Sequence, residues 1–304
     1  MLSFKTGAPI ARISGGPHHG KVIRVSMDLL KPAIKIDDIF DVIKTDMLSF
    51  SKRRVDPIDI DIIREAIREN KEPRERHLKP IYSQVRAALK ECQGKEFHMN
   101  EGEMLQVPNT KLERECLYIA GPSGSGKSTY VNKYVKQYIR TYPDNEVYIF
   151  SRVADDKTLK DNDAIKRIPI TEELIEDPID NSELEDSIAI FDDIDTIREK
   201  PLRDAVTDLR SDLLETGRHH RVTLLCTSHL LMDRNKTRTL LNEATSVTFF
   251  PNSGQAFHVK RFLKEYCGLE KSQIDRVLQL PSRWVTIGKT APMYILYDKG
   301  CYLI

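Results

Sequence analysis

GPSGSGKS, residues 121–128, is the stretch of sequence that decides the fold. It has the Gly, four residues, Gly-Lys-Ser pattern of a phosphate-binding loop and directly follows the apolar residues 117–120. Glycines let backbone N–H groups approach phosphate oxygens, while Lys127 can reach the β- and γ-phosphates and the Ser128 hydroxyl can ligate Mg²⁺. A helix predicted from Lys127 would point its first N–H groups at the same anion. We call residues 121–128 the phosphate loop, and we predict a nucleotide site made of Gly121, Pro122, Ser123, Gly124, Ser125, Gly126, Lys127, Ser128 and Thr129.

Around this loop, apolar runs typical of strands alternate with stretches typical of helices. Strands are predicted at 116–120, 147–150, 187–191, 222–227 and 246–250, and helices at 127–141 and 202–216. Such alternation indicates a mainly parallel sheet flanked by helices. We therefore predict an α/β P-loop NTPase domain over residues 111–304, preceded by a small α+β accessory region over residues 1–110. Residues 93–110 are interpreted as a linker, and 155–186 as an acidic, irregular segment with one or two short helices.

Two adjacent carboxylates end the predicted strand SIAIF, as Asp192 and Asp193. If this strand lies beside the strand of the phosphate loop, Asp192 comes close to the Mg²⁺ held by Ser128, through a water molecule. Asp193 then faces the attacking water, as its general base or as the group that orients it. Paired carboxylates after a phosphate loop therefore predict hydrolysis of a nucleotide.

Polar residues also end the next strand, in the sequence VTLLCTSHLL. Thr227, Ser228 or His229 could contact the γ-phosphate or the attacking water and report the nucleotide state. A strand-end hydrogen bond is the simpler alternative for any one of them.

Basic residues are concentrated in two further segments. The loop GRHHR before that strand suits an arginine finger offered to the γ-phosphate of a neighbouring subunit, with Arg218 as the first choice and Arg221 and Arg210 as alternatives. A solvated surface loop is the simpler alternative for this cluster. The segment DRNKTRT, residues 233–239, could contact a DNA phosphate backbone without reading bases, or could be an ordinary surface loop.

The amino-acid composition indicates the compartment of the protein and limits how it could bind a nucleic acid. With Lys+Arg 47 against Asp+Glu 46, the formal charge is +1, so a nucleic-acid partner would have to meet a local basic patch. The five scattered cysteines indicate a reducing compartment, and neither a signal core nor a long apolar span is apparent. We expect a soluble intracellular protein without a transmembrane segment.

The order of phosphate loop, FDD strand, GRHH loop and TSH strand end resembles the HerA–FtsK superfamily of P-loop ATPases. It is most similar there to the genome-packaging ATPases of large nucleocytoplasmic DNA viruses, the poxvirus type. The C-terminal sequence LPSRWVTIGKTAPMYILYDKGCYLI, residues 280–304, resembles the strand extension that ends those proteins.

That resemblance implies an ATP- and Mg²⁺-dependent motor that drives double-stranded DNA into a preformed capsid. It also implies a homo-oligomeric ring, capsid or membrane-vertex partners, and a location in the host cytoplasm, at the virus factory, or in the virion. Lys127, Ser128 and Asp192 match the phosphate and metal ligands of the family. Asp193 stands where cellular translocases place Glu, and Ser228 or His229 where they place Gln.

Two other functions remain open from the residues. One is a P-loop phosphotransferase that acts on a small molecule, and the other is a cellular or mobile-element DNA pump of the same superfamily. A phosphotransferase would require an acceptor pocket, for which no motif is apparent.

Overall fold

A computed structural model describes residues 1–26, 57–69, 71–92, 94–152, 163–233, 237–253 and 256–304. Its strands form two sheets, one of four strands and one of ten. Within the described ranges, no helix has the length and apolar character needed to cross a membrane.

The N-terminal elements form the small sheet, a helical pair and one edge strand of the large sheet. They are β1 (Leu2–Ser3), β2 (Ala8–Ser14), β3 (Val22–Val25), α1 (Pro57–Arg68), α2 (Lys79–Cys92), β4 (Glu96–His98) and β5 (Glu103–Gln106). The small sheet is antiparallel in the order β1-β3-β2-β5. The two helices pack through Ile63, Leu78 and Val85, which are fully buried.

The remaining elements alternate between strands and helices, as the sequence predicts. They are β6 (Cys116–Ala120), α3 (Lys127–Thr141), β7 (Glu146–Ser151), β8 (Ile165–Ile168), α4 (Glu173–Glu176), β9 (Ser187–Asp192), α5 (Lys200–Thr216), β10 (Thr223–Ser228), α6 (Arg238–Glu243), β11 (Ser246–Phe249), α7 (Ala256–Glu265), α8 (Lys271–Leu278), β12 (Val285–Gly288), β13 (Tyr294–Tyr297) and β14 (Gly300–Leu303). Short 3₁₀ turns lie at Asn181–Leu184 and Ile194–Thr196.

The large sheet has the order β4-β14-β13-β12-β11-β6-β10-β9-β7-β8. The strands from β11 to β8 are mutually parallel, and those from β12 to β4 continue the sheet in antiparallel fashion. This confirms the predicted α/β P-loop fold with a C-terminal strand extension. It also places the phosphate loop, which follows β6, at the carboxyl edge of the parallel strands.

Helices cover both faces of the parallel strands, because alternate strand residues point to opposite faces. On one face, Tyr130, Tyr134 and Tyr138 of α3 pack on strand residues such as Ile119 and Ile190. On the other face, strand residues including Tyr118, Phe150 and Phe191 pack against side chains of α5 to α8. A strand that is buried on both faces needs an apolar residue at nearly every position, as β6 and β9 have.

Three details of the sequence interpretation are wrong. The strand that ends in Asp192 is not beside the loop strand, because β10 lies between them. Residues 93–110 contain β4 and β5, and the acidic segment contains β8. These short strands pair with partners distant in the chain or at a sheet edge, so their own sequences carry little of the signal.

The small sheet packs on the antiparallel end of the large one. Ile13 and Met104 share a buried cluster with Leu296 and Cys301, and β4 pairs directly with β14. The described strands of residues 1–110 therefore pack on and extend the C-terminal strands, while the domain boundary near residue 110 stays a prediction.

Candidate nucleotide site

Glycine gives the phosphate loop its backbone shape. Gly124 and Gly126 have φ of 76° and 112°, in the left-handed region that a side chain disfavours. A Cβ on Gly121 would lie 2.6 Å from both the Phe250 ring and Ser125 Oγ. Gly126 is the N-cap of α3 and makes no side-chain cap, so the first turn of a 15-residue helix offers its N–H groups at the loop. The remaining predicted residues of the loop site are partly buried or exposed: Pro122, Ser123, Ser128 and Thr129.

Lys127 is buried beneath the loop, with 7% of its surface exposed. Its ammonium donates a 2.8 Å hydrogen bond to the Gly121 carbonyl, and lies 3.4 Å from Asp193 Oδ2 and 3.5 Å from His229 Nδ1. A buried ammonium requires such partners, because desolvating an unpaired charge is costly. The amine is therefore held between the loop and the carboxylate, where a bound phosphate could reach it.

Asp192 ends β9 with 8% of its surface exposed. Its Oδ1 accepts a 2.8 Å hydrogen bond from the Thr227 hydroxyl, and its Oδ2 accepts a 3.2 Å bond from Ser151 of β7. Carboxylate and hydroxyl oxygens are the ligands that Mg²⁺ prefers, and each oxygen of Asp192 keeps lone pairs beyond these bonds. The donor set of Asp192 and Ser128 therefore fits Mg²⁺.

Asp193 has a strained backbone, with φ of 46° in the left-handed region. Its N–H donates a 2.9 Å hydrogen bond to Thr227 Oγ1, which helps to hold this conformation. The strained turn directs Oδ2 to a point 3.4 Å from Lys127 Nζ and 3.2 Å from His229 Nε2. The two adjacent carboxylates thus have different surroundings: Asp192 is bound by hydroxyls, and Asp193 faces two nitrogen groups.

The three candidate sensors at the end of β10 occupy different positions. Thr227 bridges the two carboxylates, because its hydroxyl also lies 3.2 Å from Asp193 Oδ1. Ser228 Oγ donates a 3.1 Å bond to Asp195 Oδ2, and its carbonyl accepts the Gly121 N–H at 3.0 Å. Only the His229 side chain, of these three, lies beside both Lys127 and Asp193.

Two of the three candidate fingers, Arg218 and Arg221, lie away from this cluster. Arg218 pairs with Glu113, and Arg221 pairs with Glu185 and Asp186. Both are in the loop before β10, at the amino edge of the parallel strands and opposite the phosphate loop. Arg210 is buried on α5 with its Nε lacking a protein partner.

Of the basic segment at 233–239, Arg234 and Lys236 lie outside the described residues. Arg238 begins α6 and is exposed. It lies in the chain between the strand end at Ser228 and β11.

Three further residues at the site were not predicted from the sequence: Arg283, Ser151 and Asp195. Arg283 Nε donates 2.9 Å to the Ser125 carbonyl, and its Nη2 donates 3.1 Å to the Gly124 carbonyl. Ser151 is the polar end of the predicted strand YIFS, and Asp195 ends the stretch FDDID. These polar positions were the sequence signals that could have indicated both residues. Arg283 is distant in sequence from the phosphate loop. It lies just before β12, and the pairing of β12 with β11 brings it beside that loop.

This sheet, with a glycine loop leading from its central strand into a helix, defines the protein as a P-loop NTPase by fold. No family model matches the chain. It is 47% identical over 207 residues to the uncharacterized protein V3 of Sputnik virophage, covering 67% of this chain and 83% of that protein. The chain therefore belongs to the family of that virophage protein.

Among solved structures, the chain is similar to the genome packaging NTPase B204 from Sulfolobus turreted icosahedral virus 2 in complex with AMPPCP. Identity is 12%, the TM-score is 0.39, and the match covers 60% of this chain and 97% of that one. It is also similar to the cytoplasmic domain of the type VII secretion ATPase EccC of Thermomonospora curvata. There the identity is 15% and the TM-score 0.45, over 67% of this chain and 28% of that one.

Proposed function

We propose that the protein is an ATP-driven motor that moves double-stranded DNA into a viral capsid. In this proposal it hydrolyses ATP with Mg²⁺ and works as a homo-oligomeric ring. The observation that carries the hydrolytic part is the convergence of Lys127, Asp193 and His229 behind the phosphate loop, within 3.5 Å of one another. The proposed DNA translocation and capsid filling are supported by the order of the motifs, which resembles that of packaging ATPases, and by the 47% identity to a virophage protein.

Each residue has a distinct role in the proposed hydrolysis. Lys127 exchanges its contact with Asp193 for the β- and γ-phosphates, which leaves the Asp193 carboxylate available to orient a water molecule and accept its proton. His229, beside the same carboxylate, contacts the γ-phosphate or the water. Mg²⁺, when bound by Ser128 and Asp192, neutralises the charge that develops on the phosphates.

Thr227 and Ser228 connect the site to the rest of the molecule. Thr227, near the end of β10, contacts both carboxylates at the end of β9. The Ser228 carbonyl ties β10 to the first residue of the loop. A change at the γ-phosphate can therefore reach the segment that follows β10. In the proposal this segment, which includes Arg238, contacts the DNA backbone.

Capsid or membrane-vertex proteins are the proposed partners of the ring, and the host cytoplasm is the proposed setting. Arg218 is the proposed finger. Since it lies at the opposite edge of its own sheet, it could serve only the site of a neighbouring subunit.

Translocation can be measured directly by the displacement of a labelled third strand from a DNA triplex. We expect displacement that requires ATP and is abolished in Lys127→Ala. Hydrolysis without displacement by the assembled ring would contradict the motor function. Transfer of labelled γ-phosphate to a metabolite rather than to water would favour the phosphotransferase.

A further inference from the structure

A cleft with a volume of about 310 Å³ lies on the outer side of the phosphate loop. One wall is formed by loop residues 122–125. The other is formed by Phe250, Asn252, Ser253 and Arg283, from the segments that follow β11 and precede β12. None of these four residues belongs to the catalytic cluster.

The strand order fixes which part of a nucleotide could reach this cleft. Asp192, Asp193 and His229 follow β9 and β10, on one side of the loop strand β6. The cleft is on the other side, at β11 and β12. A nucleoside triphosphate carries its γ-phosphate and its nucleoside at opposite ends. If the γ-phosphate lies at Lys127, Asp193 and His229, the nucleoside is directed away from them, toward the cleft.

Phe250 forms the floor where the loop and the cleft meet. It is buried, and its ring approaches both Gly121 and Gly126 so closely that a Cβ on Gly121 would lie 2.6 Å from it. The Ser253 hydroxyl donates to the Phe250 carbonyl, which holds the segment after β11 in a turn. Asn252, at the rim of this turn, is exposed and carries an amide that can both donate and accept hydrogen bonds.

Arg283 joins the cleft to the loop. Its two hydrogen bonds hold the carbonyls of Gly124 and Ser125 toward the cleft wall. Because C=O and N–H lie on opposite sides of a trans peptide, the N–H of Gly126 points away from Arg283. The guanidinium therefore orients the loop and also places a positive charge beside the path of the phosphates.

We propose that this cleft binds the nucleoside half of the nucleotide, so that the C-terminal strand extension supplies part of the substrate site. The inference rests on the proposed nucleotide function and adds the residues that recognise the base and ribose. Asn252 and Ser253 contact the nucleoside, Phe250 supports it, and Arg283 positions the loop between the nucleoside and the triphosphate.

The test fills the cleft and compares two ligands. Calorimetry would measure the binding of a non-hydrolysable ATP analogue and of inorganic tripolyphosphate, each with Mg²⁺, to the full chain and to Asn252→Trp. The matched control is Asn100→Trp, an exposed asparagine between β4 and β5. We expect Asn252→Trp to lose at least about tenfold in affinity for the analogue and less than about twofold for tripolyphosphate, because only the nucleoside would meet the new indole.

Unchanged affinity for the analogue in Asn252→Trp would overturn the proposal. An equal loss for both ligands would also overturn it, because the segment would then support the loop alone. If the unsubstituted chain bound neither ligand, the nucleotide function itself would fail, which is a distinguishable result.

Discussion

His229 Nε2 lies 3.2 Å from Asp193 Oδ2, although the two side chains come from the ends of different strands. The same oxygen lies 3.4 Å from Lys127 Nζ. The Asp193 carboxylate thus contacts both Lys127, which is proposed to bind phosphate, and His229, which is proposed to sense it. In the proposed function a bound triphosphate would take over the Lys127 contact, which leaves the Asp193 carboxylate available for the hydrolytic step.

Replacing Lys127 by Ala should weaken nucleotide binding by roughly 10- to 100-fold, the equivalent of a lost charged hydrogen bond. Titration with a fluorescent ATP analogue would measure this. Lys133→Ala, on the same helix but paired with Glu103 at the surface, is the control and should bind normally. Equal affinity in the two variants would remove Lys127 from the site.

Asp193→Asn should leave nucleotide affinity within about twofold while slowing turnover by roughly 10²- to 10⁴-fold, the usual contribution of a general base. Phosphate release under saturating ATP would measure the rate. The exposed Asp204 of α5 offers the control substitution Asp204→Asn. Full turnover in Asp193→Asn would show that another group activates the water.

Thr227→Val keeps the shape of the side chain but removes the hydroxyl that binds Asp192 Oδ1 and the Asp193 N–H. We expect a loss of about 1–3 kcal/mol in the free energy of unfolding, because both buried groups lose a partner, together with slower turnover. Chemical denaturation and phosphate release would measure the two effects. Thr227→Ser retains the hydroxyl and should restore both; if it behaved like Thr227→Val, the bridging role would be wrong.

Arg218→Ala should lower turnover of the assembled protein by about 10³-fold or more while sparing nucleotide binding, as expected for an arginine finger. Mixing Arg218→Ala with Asp193→Asn subunits should restore part of the activity. In such a ring, some interfaces pair an intact Asp193 with an intact Arg218 from the neighbour. A mixture as inactive as its components would argue against a finger acting between subunits.

The stability of the fold should depend on pH through Glu115. Burial raises the pKa of this carboxyl to about 7, against the opposing effect of hydrogen bonds from the Asn109 N–H and the Tyr134 hydroxyl. The folded chain therefore keeps a proton that the unfolded chain loses near the ordinary pKa of 4.5. The free energy of unfolding is therefore greatest below about pH 4.5 and falls as the pH rises through about 7, by on the order of 3 kcal/mol.

Glu115→Gln should flatten this dependence, since its amide oxygen can accept the same two hydrogen bonds without ionising. Unfolding by urea across the pH range, compared between the two proteins, would measure the difference. Parallel profiles would show that Glu115 does not titrate in this way.

Much of the parallel core could be predicted because β6, β9 and β10 are largely apolar, and because β6 leads into the glycine loop while β9 and β10 end in polar residues. Local signals of this kind place Lys127, Asp193 and His229 at the carboxyl edge of a sheet. Strand order is not local, and the position of β10 between β6 and β9 follows from packing of the whole sheet. For the same reason, the contact of Arg283 with Gly124 and Ser125, which depends on the antiparallel extension, could not be anticipated.

The most direct test of the motor function is ATP turnover by the assembled protein with and without linear duplex DNA, with Lys127→Ala as the control. The salt concentration must be low and fixed, since binding to a phosphate backbone weakens steeply with salt. The proposed function predicts that duplexes of unrelated sequence stimulate turnover equally and that Lys127→Ala shows none. Turnover that is unaffected by duplex DNA in the assembled form would contradict it.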